Sequence, residues 1–206
     1  MDRFRYALRK LATSTDEVVS LAAARHNCAA DGDEHDQALI EILAQSRTFV
    51  EERTDCSLLS TTWEMTFDQF PRSKKLYLPK WPLQSLVAVH YVDANGDSQT
   101  IDVDEFSIRL DDSGRGRIAR KNYAPWPSTA ITPDAVRIEF IAGWDSPEKV
   151  PPTWSRAILM LTAWWLEQRE AGVLGISAVD APIGVKDLID SASTADDFGE
   201  FDLCDD

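Results

Sequence analysis

The sequence predicts an α+β protein whose helices and strands are segregated along the chain. Apolar residues recur at steps of three and four in residues 18–57 and again in 150–190, which is typical of amphipathic helices. Residues 60–143 alternate apolar and polar side chains, as strands with one buried face do. We therefore expect a small helical core, with two N-terminal helices and one long C-terminal helix, and an inserted antiparallel β region.

Two helices are predicted at the start of the domain, which we place at residues 18–190. Residues 18–30 suit a short helix capped by Ser20, and a longer helix is expected from about Asp33 to Arg53. The acids around its start favour the positive end of the helix dipole. Its apolar stripe comprises Leu39, Ile42, Leu43, Ser46, Phe49 and Val50. Residues 1–17 form an N-terminal extension, which is either a short basic helix or a solvated terminus.

The β region is predicted to contain about six short strands joined by turns. These are expected at residues 61–67, 76–78, 83–92, 100–103, 106–110 and 136–143, with a short return at 117–119. Asn95-Gly96 predicts a tight hairpin between two of them. Residues 121–133 are predicted to form a loop before the last strand.

The most apolar part of the chain is residues 151–171, where Pro151-Pro152 ends the β region and a helix begins. Ten of the thirteen residues in 154–166 are apolar, so this helix is apolar almost all round. Such a helix is either wrapped by its own domain or covered on one face by a neighbouring subunit. Leu159 and Trp164 are the candidates for a subunit interface. A helix that spans a membrane needs about 20 consecutive apolar residues, and this stretch is shorter. No membrane partner is therefore expected.

The charge of the chain limits its partners. The net charge is −14 at pH 7, which opposes general attraction to nucleic acid or to an anionic membrane. Residues 191–206 contain six acids and neither Lys nor Arg, a composition that favours a solvated acidic tail. Within that tail lie three large apolar residues, Phe198, Phe201 and Leu203, which are not expected in a fully solvated segment. They indicate docking on a partner.

The three cysteines do not form the pattern of a disulfide framework. Cys28, Cys56 and Cys204 are odd in number and widely spaced. No apolar segment of a secretory signal is visible at the N-terminus. We therefore expect reduced thiols and folding inside the cell.

No arrangement of residues predicts catalysis or metal binding. Histidine, cysteine and aspartate crowd into residues 26–35, but the paired spacing of zinc ligands is absent. The acids that begin at Asp31 and at Asp93 do not follow the calcium-loop pattern. No nucleophile elbow, phosphate loop or dinucleotide fingerprint occurs. We expect no catalytic residue, no metal and no cofactor, and we do not expect an enzyme.

One basic cluster stands out in this acidic chain. It comprises Arg115, Arg117, Arg120 and Lys121. Only Tyr123 supplies a nearby aromatic ring, so the cluster is a weak candidate for nucleic-acid binding. A solvated turn or a salt-bridging subunit edge is favoured. Arg115 and Arg117 are therefore further candidates for a subunit interface.

In order and spacing, these segments resemble the head–tail connector (adaptor) proteins of tailed phages, a group common in prophages and gene transfer agents. The resemblance covers roughly residues 18–190. The matching segments are DGDEHDQALIEIL, TFVEERT, TTWEMTFDQFP, LPKWPLQSLVAVHYVDANGDSQT, GRIAR, WP, VRIEFIAGW and VPPTWSRAILMLTAWWLEQREAGV.

The resemblance implies a structural function in the virion. Such proteins form a ring, typically of twelve copies, beneath the portal protein, and they receive a stopper or tail-terminator protein. DNA passes through the bore without specific binding, and there are no catalytic residues to carry over. The connector proteins hold the portal largely through their C-terminal segments, so the resemblance makes Phe198, Phe201 and Leu203 the portal-docking candidates. Assembly would take place in the host bacterial cytoplasm.

Three other interpretations stay open. The first is another connector part, a stopper or tail terminator, although such parts are expected to be mainly β. The second is a small metal-dependent hydrolase, which would need a reactive site that the sequence does not reveal. The third is a host DNA-binding regulator that uses the basic cluster.

Overall fold

A computed structural model describes residues 5–30, 32–171 and 182–192. They form two compact units. The β unit contains the described residues up to Ser14 together with Ser60–Trp144. The helical unit contains Thr15–Leu59 and the described residues from Asp145 onward. The α+β class predicted from the sequence is confirmed.

The described part of the β unit contains eight strands in two antiparallel sheets. The larger sheet has the order β1-β2-β8-β4-β5, and the smaller has the order β3-β7-β6. The strands are β1 (Ala7–Thr13), β2 (Thr61–Phe67), β3 (Lys75–Tyr77), β4 (Leu83–Val92), β5 (Ser98–Ile101), β6 (Phe106–Leu110), β7 (Gly116–Arg120) and β8 (Val136–Ala142).

Both sheets contribute to one apolar core. Met65 of β2 lies opposite Ile138 of β8, and both are fully buried. Leu76 of β3 lies opposite Ile118 of β7, and these two side chains belong to the same core cluster. Burying a side chain of this size contributes about 1.5–3 kcal/mol, so the cluster is the main stabilising feature of this unit.

Gly116 allows the small sheet to approach the start of β4. A Cβ atom at this position would lie 2.0 Å from Cδ2 and 2.8 Å from Cβ of Leu83. The Gly116 carbonyl accepts a 2.9 Å hydrogen bond from the amide of Leu78. Because that space is already occupied, only glycine fits without displacing Leu83.

The N-terminal residues differ from the sequence prediction. Neither a basic helix nor a solvated terminus forms over 7–13, because this segment is an edge strand paired with β2. Arg9 donates from Nε to Oε1 of the buried Glu64 at 2.9 Å. Lys10 lies 5.4 Å from the ring centroid of Trp63, a cation–π contact. These partners come from residues far along the chain, so the local pattern could not reveal them.

The helical unit begins with two predicted helices, α1 (Leu21–Asn27) and α2 (Asp36–Thr54). The predicted cap of α1 is confirmed, because the Ser20 hydroxyl accepts a 3.2 Å hydrogen bond from the amide of Ala23. The stripe predicted for α2 is buried except for the half-buried Phe49, which packs edge to face on Trp165 with ring centroids 5.8 Å apart.

The long predicted helix is α3 (Pro152–Ala171), and it returns to α1 and α2 as expected. Its residues Trp154, Ala157, Ile158 and Leu161 are buried. The Asn27 side-chain amide donates to the backbone carbonyl of Leu159 at 3.1 Å.

A fourth helix, α4 (Ile183–Ala192), is longer than the single turn predicted at 185–189. Val185 and Ile189 face inward, and an ion pair between Arg53 and Asp190 attaches α4 to α2.

The strand predictions hold at most positions. Three strands, β2, β4 and β6, begin and end where the alternation predicts. The strand expected at 100–103 lies instead at 98–101, because the hairpin pairs Val92 with Ser98. Val103 belongs to a short 3-10 turn, where the Asp102 carboxylate accepts a 2.9 Å hydrogen bond from the amide of Asp104.

Candidate interaction surfaces

Asp36, which follows the possible metal ligands of residues 26–35, has a structural partner. Arg25 binds Asp36 through two guanidinium nitrogens, one of them 2.6 Å from the carboxylate. This hydrogen bond lowers the pKa of Asp36 and keeps it ionised at the start of α2. Burial raises the pKa of the Cys28 thiol, so this cysteine remains protonated at neutral pH. Within the described residues, no three of His, Cys, Asp or Glu converge to hold a metal ion.

The Asp93 carboxylate organises the β4–β5 hairpin. Its Oδ1 accepts hydrogen bonds from the amides of Asn95 at 2.8 Å and Asp97 at 3.1 Å, and its Oδ2 accepts from Gln99 at 3.0 Å. The hydrogen bond from the Asp97 amide is the main reason why the pKa of Asp93 is lowered. The Asp93 carboxylate therefore acts as a turn former.

One face of α3 is only partly covered. Leu159, Met160, Ala163 and Trp164 are half-buried, whereas Trp154, Ala157, Ile158 and Leu161 are buried. The indole nitrogen of Trp164 is buried without a hydrogen-bond partner among the described residues. We call these four half-buried residues the α3 stripe. Of the predicted interface candidates, Leu159 and Trp164 both belong to it. No helix in the described ranges is long and apolar enough to cross a membrane.

The smaller sheet of the β unit has a basic outer face. The strand register places Tyr77, Arg117 and Arg109 in one row across β3, β7 and β6. The next row contains Lys75, Ala119 and Ser107. Apart from Tyr77, the residues of these two rows line an open cavity of about 450 Å³ together with Arg120 and the exposed ring of Tyr123. We call this surface the basic face.

The cations of the basic face differ in how they are held. Arg120 forms an ion pair with Glu105 and donates to the carbonyl of Pro125 at 2.8 Å. Within the described residues, no carboxylate forms an ion pair with Lys75, Arg109 or Arg117, so three positive charges share one surface without neutralisation.

The two predicted basic candidates have different surroundings. The Arg115 guanidinium lies 5.4 Å from the ring centroid of the buried Trp81. Arg115 therefore packs on its own unit, whereas Arg117 lines the open cavity. Sequence reasoning missed Lys75 and Arg109, because they are far from this cluster along the chain. The period-two spacing of Arg109 with Ser107 and of Lys75 with Tyr77 was the available signal.

The portal-docking candidates Phe198, Phe201 and Leu203 lie outside the described residues. Their contribution stays a prediction.

Comparison with solved structures identifies the fold class that these two units define. The chain is similar to a chain in the neck of an empty GTA particle computed with C6 symmetry, with a TM-score of 0.71 and 22% identity. That alignment covers 90% of this chain and 94% of the other.

A chain in the virion of a native gene transfer agent (GTA) particle gives a TM-score of 0.71 at 23% identity, with 89% of this chain and 93% of the other covered. A chain in the neck of a native GTA particle computed with C12 symmetry gives a TM-score of 0.62 at 24% identity, with coverages of 90% and 93%. No family model and no curated protein matches the chain. The protein therefore has the fold of a GTA neck component, which confirms the resemblance found in the sequence at the level of fold.

Proposed function

We propose that this protein is a structural head–tail connector subunit of a tailed phage or a phage-like particle. The observation that carries the proposal is the similarity of nearly the whole chain to chains of the GTA neck and virion. Because 90% of this chain aligns with 94% of the neck chain, the resemblance extends over both units and not over a common β motif alone. In this role the protein joins the DNA-filled capsid to the stopper or tail and is located in the virion.

The protein assembles into a ring of its own copies. The similar necks were computed with C6 and C12 symmetry, which supports a ring of twelve. A cyclic ring needs two different surfaces on each subunit, because each copy contacts its neighbours head to tail. The α3 stripe, with Leu159 and Trp164, and the basic face, with Arg117, are the surfaces that we assign to these contacts. Arg115, which packs on Trp81 of its own unit, is a further candidate for these contacts.

The acidic C-terminal tail docks on the portal protein through Phe198, Phe201 and Leu203. Aromatic side chains dominate many protein interfaces, because they bury a large area at a low cost in side-chain entropy. Deleting residues 193–206 should leave the circular dichroism spectrum unchanged and weaken recovery of the portal in a pull-down. Recovery that is as complete as for the full chain would contradict this assignment.

The high negative charge suits a neck through which DNA moves. Acidic side chains do not bind phosphates, so they leave the DNA free to slide. We therefore expect no specific DNA binding and no catalysis. A gel shift that disappears steeply with added salt would instead favour DNA binding through the basic face.

The stopper is the main alternative within the same assembly, since the similar chains come from a neck whose component parts are not distinguished in their descriptions. The segregated helical unit favours the connector, because we expect a stopper or tail terminator to be mainly β. Images of the protein on its portal separate the two, since a connector contacts the portal directly.

A further inference from the structure

The free edge of β6 differs from the other sheet edges of the described residues. β6 is the last strand of the smaller sheet, and the four residues from Ser107 to Leu110 are exposed. Ile108 is 40% exposed and Leu110 is 56% exposed. An edge strand with exposed apolar residues presents unpaired backbone N–H and C=O groups and a row of apolar side chains to any complementary strand.

The two faces of β6 have opposite character. Side chains alternate across a strand, so Ser107 and Arg109 lie on the basic face, and Ile108 and Leu110 lie on the other. A strand that adds to this edge must therefore alternate as well, with acids on the side of the basic face and apolar residues on the other side. Otherwise each exposed apolar residue of β6 would face a charge. Residues on the same side of a strand are said to have the same parity.

One segment of this chain has that pattern. Residues 200–203 read Glu-Phe-Asp-Leu, with the acids Glu200 and Asp202 at one parity and Phe201 and Leu203 at the other. This segment lies in the acidic tail, outside the described residues. As a strand beside β6, it would place its acids next to Arg109 and its apolar residues next to Ile108 and Leu110. The alternation produces this match whether the strand runs parallel or antiparallel to β6.

The remaining edges do not fit the segment. The free side of β5 presents uncharged polar residues, Ser98, Gln99 and Thr100. The apolar residue of β3, Leu76, is fully buried. On β1 the cations Arg9 and Lys10 lie on opposite faces, so acids at a single parity cannot pair with both.

Two of the acids close to β6, Glu105 and Asp111, already have partners that hold them. Glu105 is paired with Arg120, and the Asp111 carboxylate accepts hydrogen bonds from the amides of Ser113 at 3.0 Å and Arg115 at 2.8 Å. Asp104 and Asp112, both exposed, are the remaining acids at the two ends of the strand. In the middle of β6, Arg109 lies beside Arg117 of β7, and within the described residues neither forms an ion pair with a carboxylate.

We propose that residues 200–203 of the acidic tail add a fourth strand to the smaller sheet at the free edge of β6. The binding mode is β-augmentation, in which backbone hydrogen bonds supply affinity and the alternating side chains supply specificity. The proposal goes beyond the connector function and does not depend on it, because it concerns the isolated chain. Docking of the same tail on a portal then requires release of this strand.

Hydrogen–deuterium exchange of the full-length chain, kept reduced, tests the proposal. In the wild type, the β6 amides that point away from β7 should exchange at least about tenfold more slowly than in the variant with Phe201→Ser and Leu203→Ser. Phe198→Ser is the matched control, because Phe198 lies at the parity of the acids and outside the four-residue segment. It should leave β6 protected. Circular dichroism and the β7 amides should not change in any of these proteins.

Charge exchange provides a second, independent readout. Arg109→Glu should expose the β6 amides, and so should Glu200→Arg combined with Asp202→Arg. Combining all three substitutions should restore protection, because opposite charges again face each other. Sedimentation of the wild type then assigns the strand to the same copy if the protein is monomeric, or to a neighbouring copy if it associates. Both results support the proposal.

Three results would overturn it. One is rapid exchange of the β6 amides in the wild-type chain. Another is slow exchange that none of the tail substitutions changes. The last is protection that appears only after the portal is added, which would assign the edge to the portal.

Discussion

The matched substitutions Leu159→Asp and Leu161→Asp separate the two surfaces of α3. The residues lie two positions apart on the same helix, and each substitution introduces the same carboxylate. Leu161 is fully buried, whereas Leu159 is half-buried in the α3 stripe. In the proposed ring the two residues have different roles. Leu161 stabilises the folded subunit, whereas Leu159 contacts a neighbouring copy.

The expected magnitudes follow from burial. Replacing Leu161 loses about 1.5–3 kcal/mol of apolar burial. It also places an unpaired carboxylate in the core at a further cost of several kcal/mol. The sum is comparable to a typical stability of about 5–15 kcal/mol, so this variant should be largely unfolded. Replacing Leu159 loses about 1 kcal/mol of burial, and its carboxylate can reach water. The lower helix propensity of Asp adds about 0.5 kcal/mol.

Two measurements on each variant decide the outcome. Thermal unfolding followed by circular dichroism should show a folded Leu159→Asp protein with a slightly lowered Tm, and no cooperative transition for Leu161→Asp. Sedimentation in the presence of the portal should show that Leu159→Asp no longer assembles although it is folded. Trp164→Asp should behave in the same way. If Leu159→Asp lost folding and assembly together, or assembled normally, the α3 stripe would not be a subunit interface.

Three further predictions concern the β unit. Gly116→Ala should destabilise the protein by about 1–3 kcal/mol, because the added methyl group collides with the Leu83 side chain; an unchanged denaturant midpoint would refute the close approach. Glu64→Gln removes ionic partners of Arg9 and Arg137 and should cost about 1–2 kcal/mol, with faster amide exchange in β1 than in β8. Uniform loss of protection across the sheet would argue against a local role. The pKa of Asp93 is lowered, so its contribution to the β4–β5 hairpin is present above the ordinary aspartate range and is lost as pH falls through the lowered pKa. An NMR titration midpoint at or above the ordinary aspartate value would contradict this.

Much of the fold follows from local pattern. The helix stripes of α2 and α3 and the alternation of β2 and β4 appear in short windows, because each of these elements buries one continuous face. The cap at Ser20 is equally local. The N-terminal strand β1 could not be recognised in this way. It is exposed along most of its length, and its partners Trp63 and Glu64 lie more than fifty residues away.

The surfaces were predictable only in part. Leu159 and Trp164 were identified because α3 has more apolar residues than one buried face requires. Arg117 was found from its basic neighbours along the chain. Lys75 and Arg109 were not found, because only the pairing of β3, β7 and β6 brings them to the same face as Arg117. Sequence spacing indicates which face of a strand a residue occupies, but it does not indicate which strands are neighbours.

The connector role is tested most directly by electron microscopy of the protein mixed with its cognate portal. We expect a ring of twelve copies in direct contact with the portal, with an open bore along the axis. A protein that stays monomeric beside an unoccupied portal would contradict this role, and so would a ring that binds only after another protein has covered the portal.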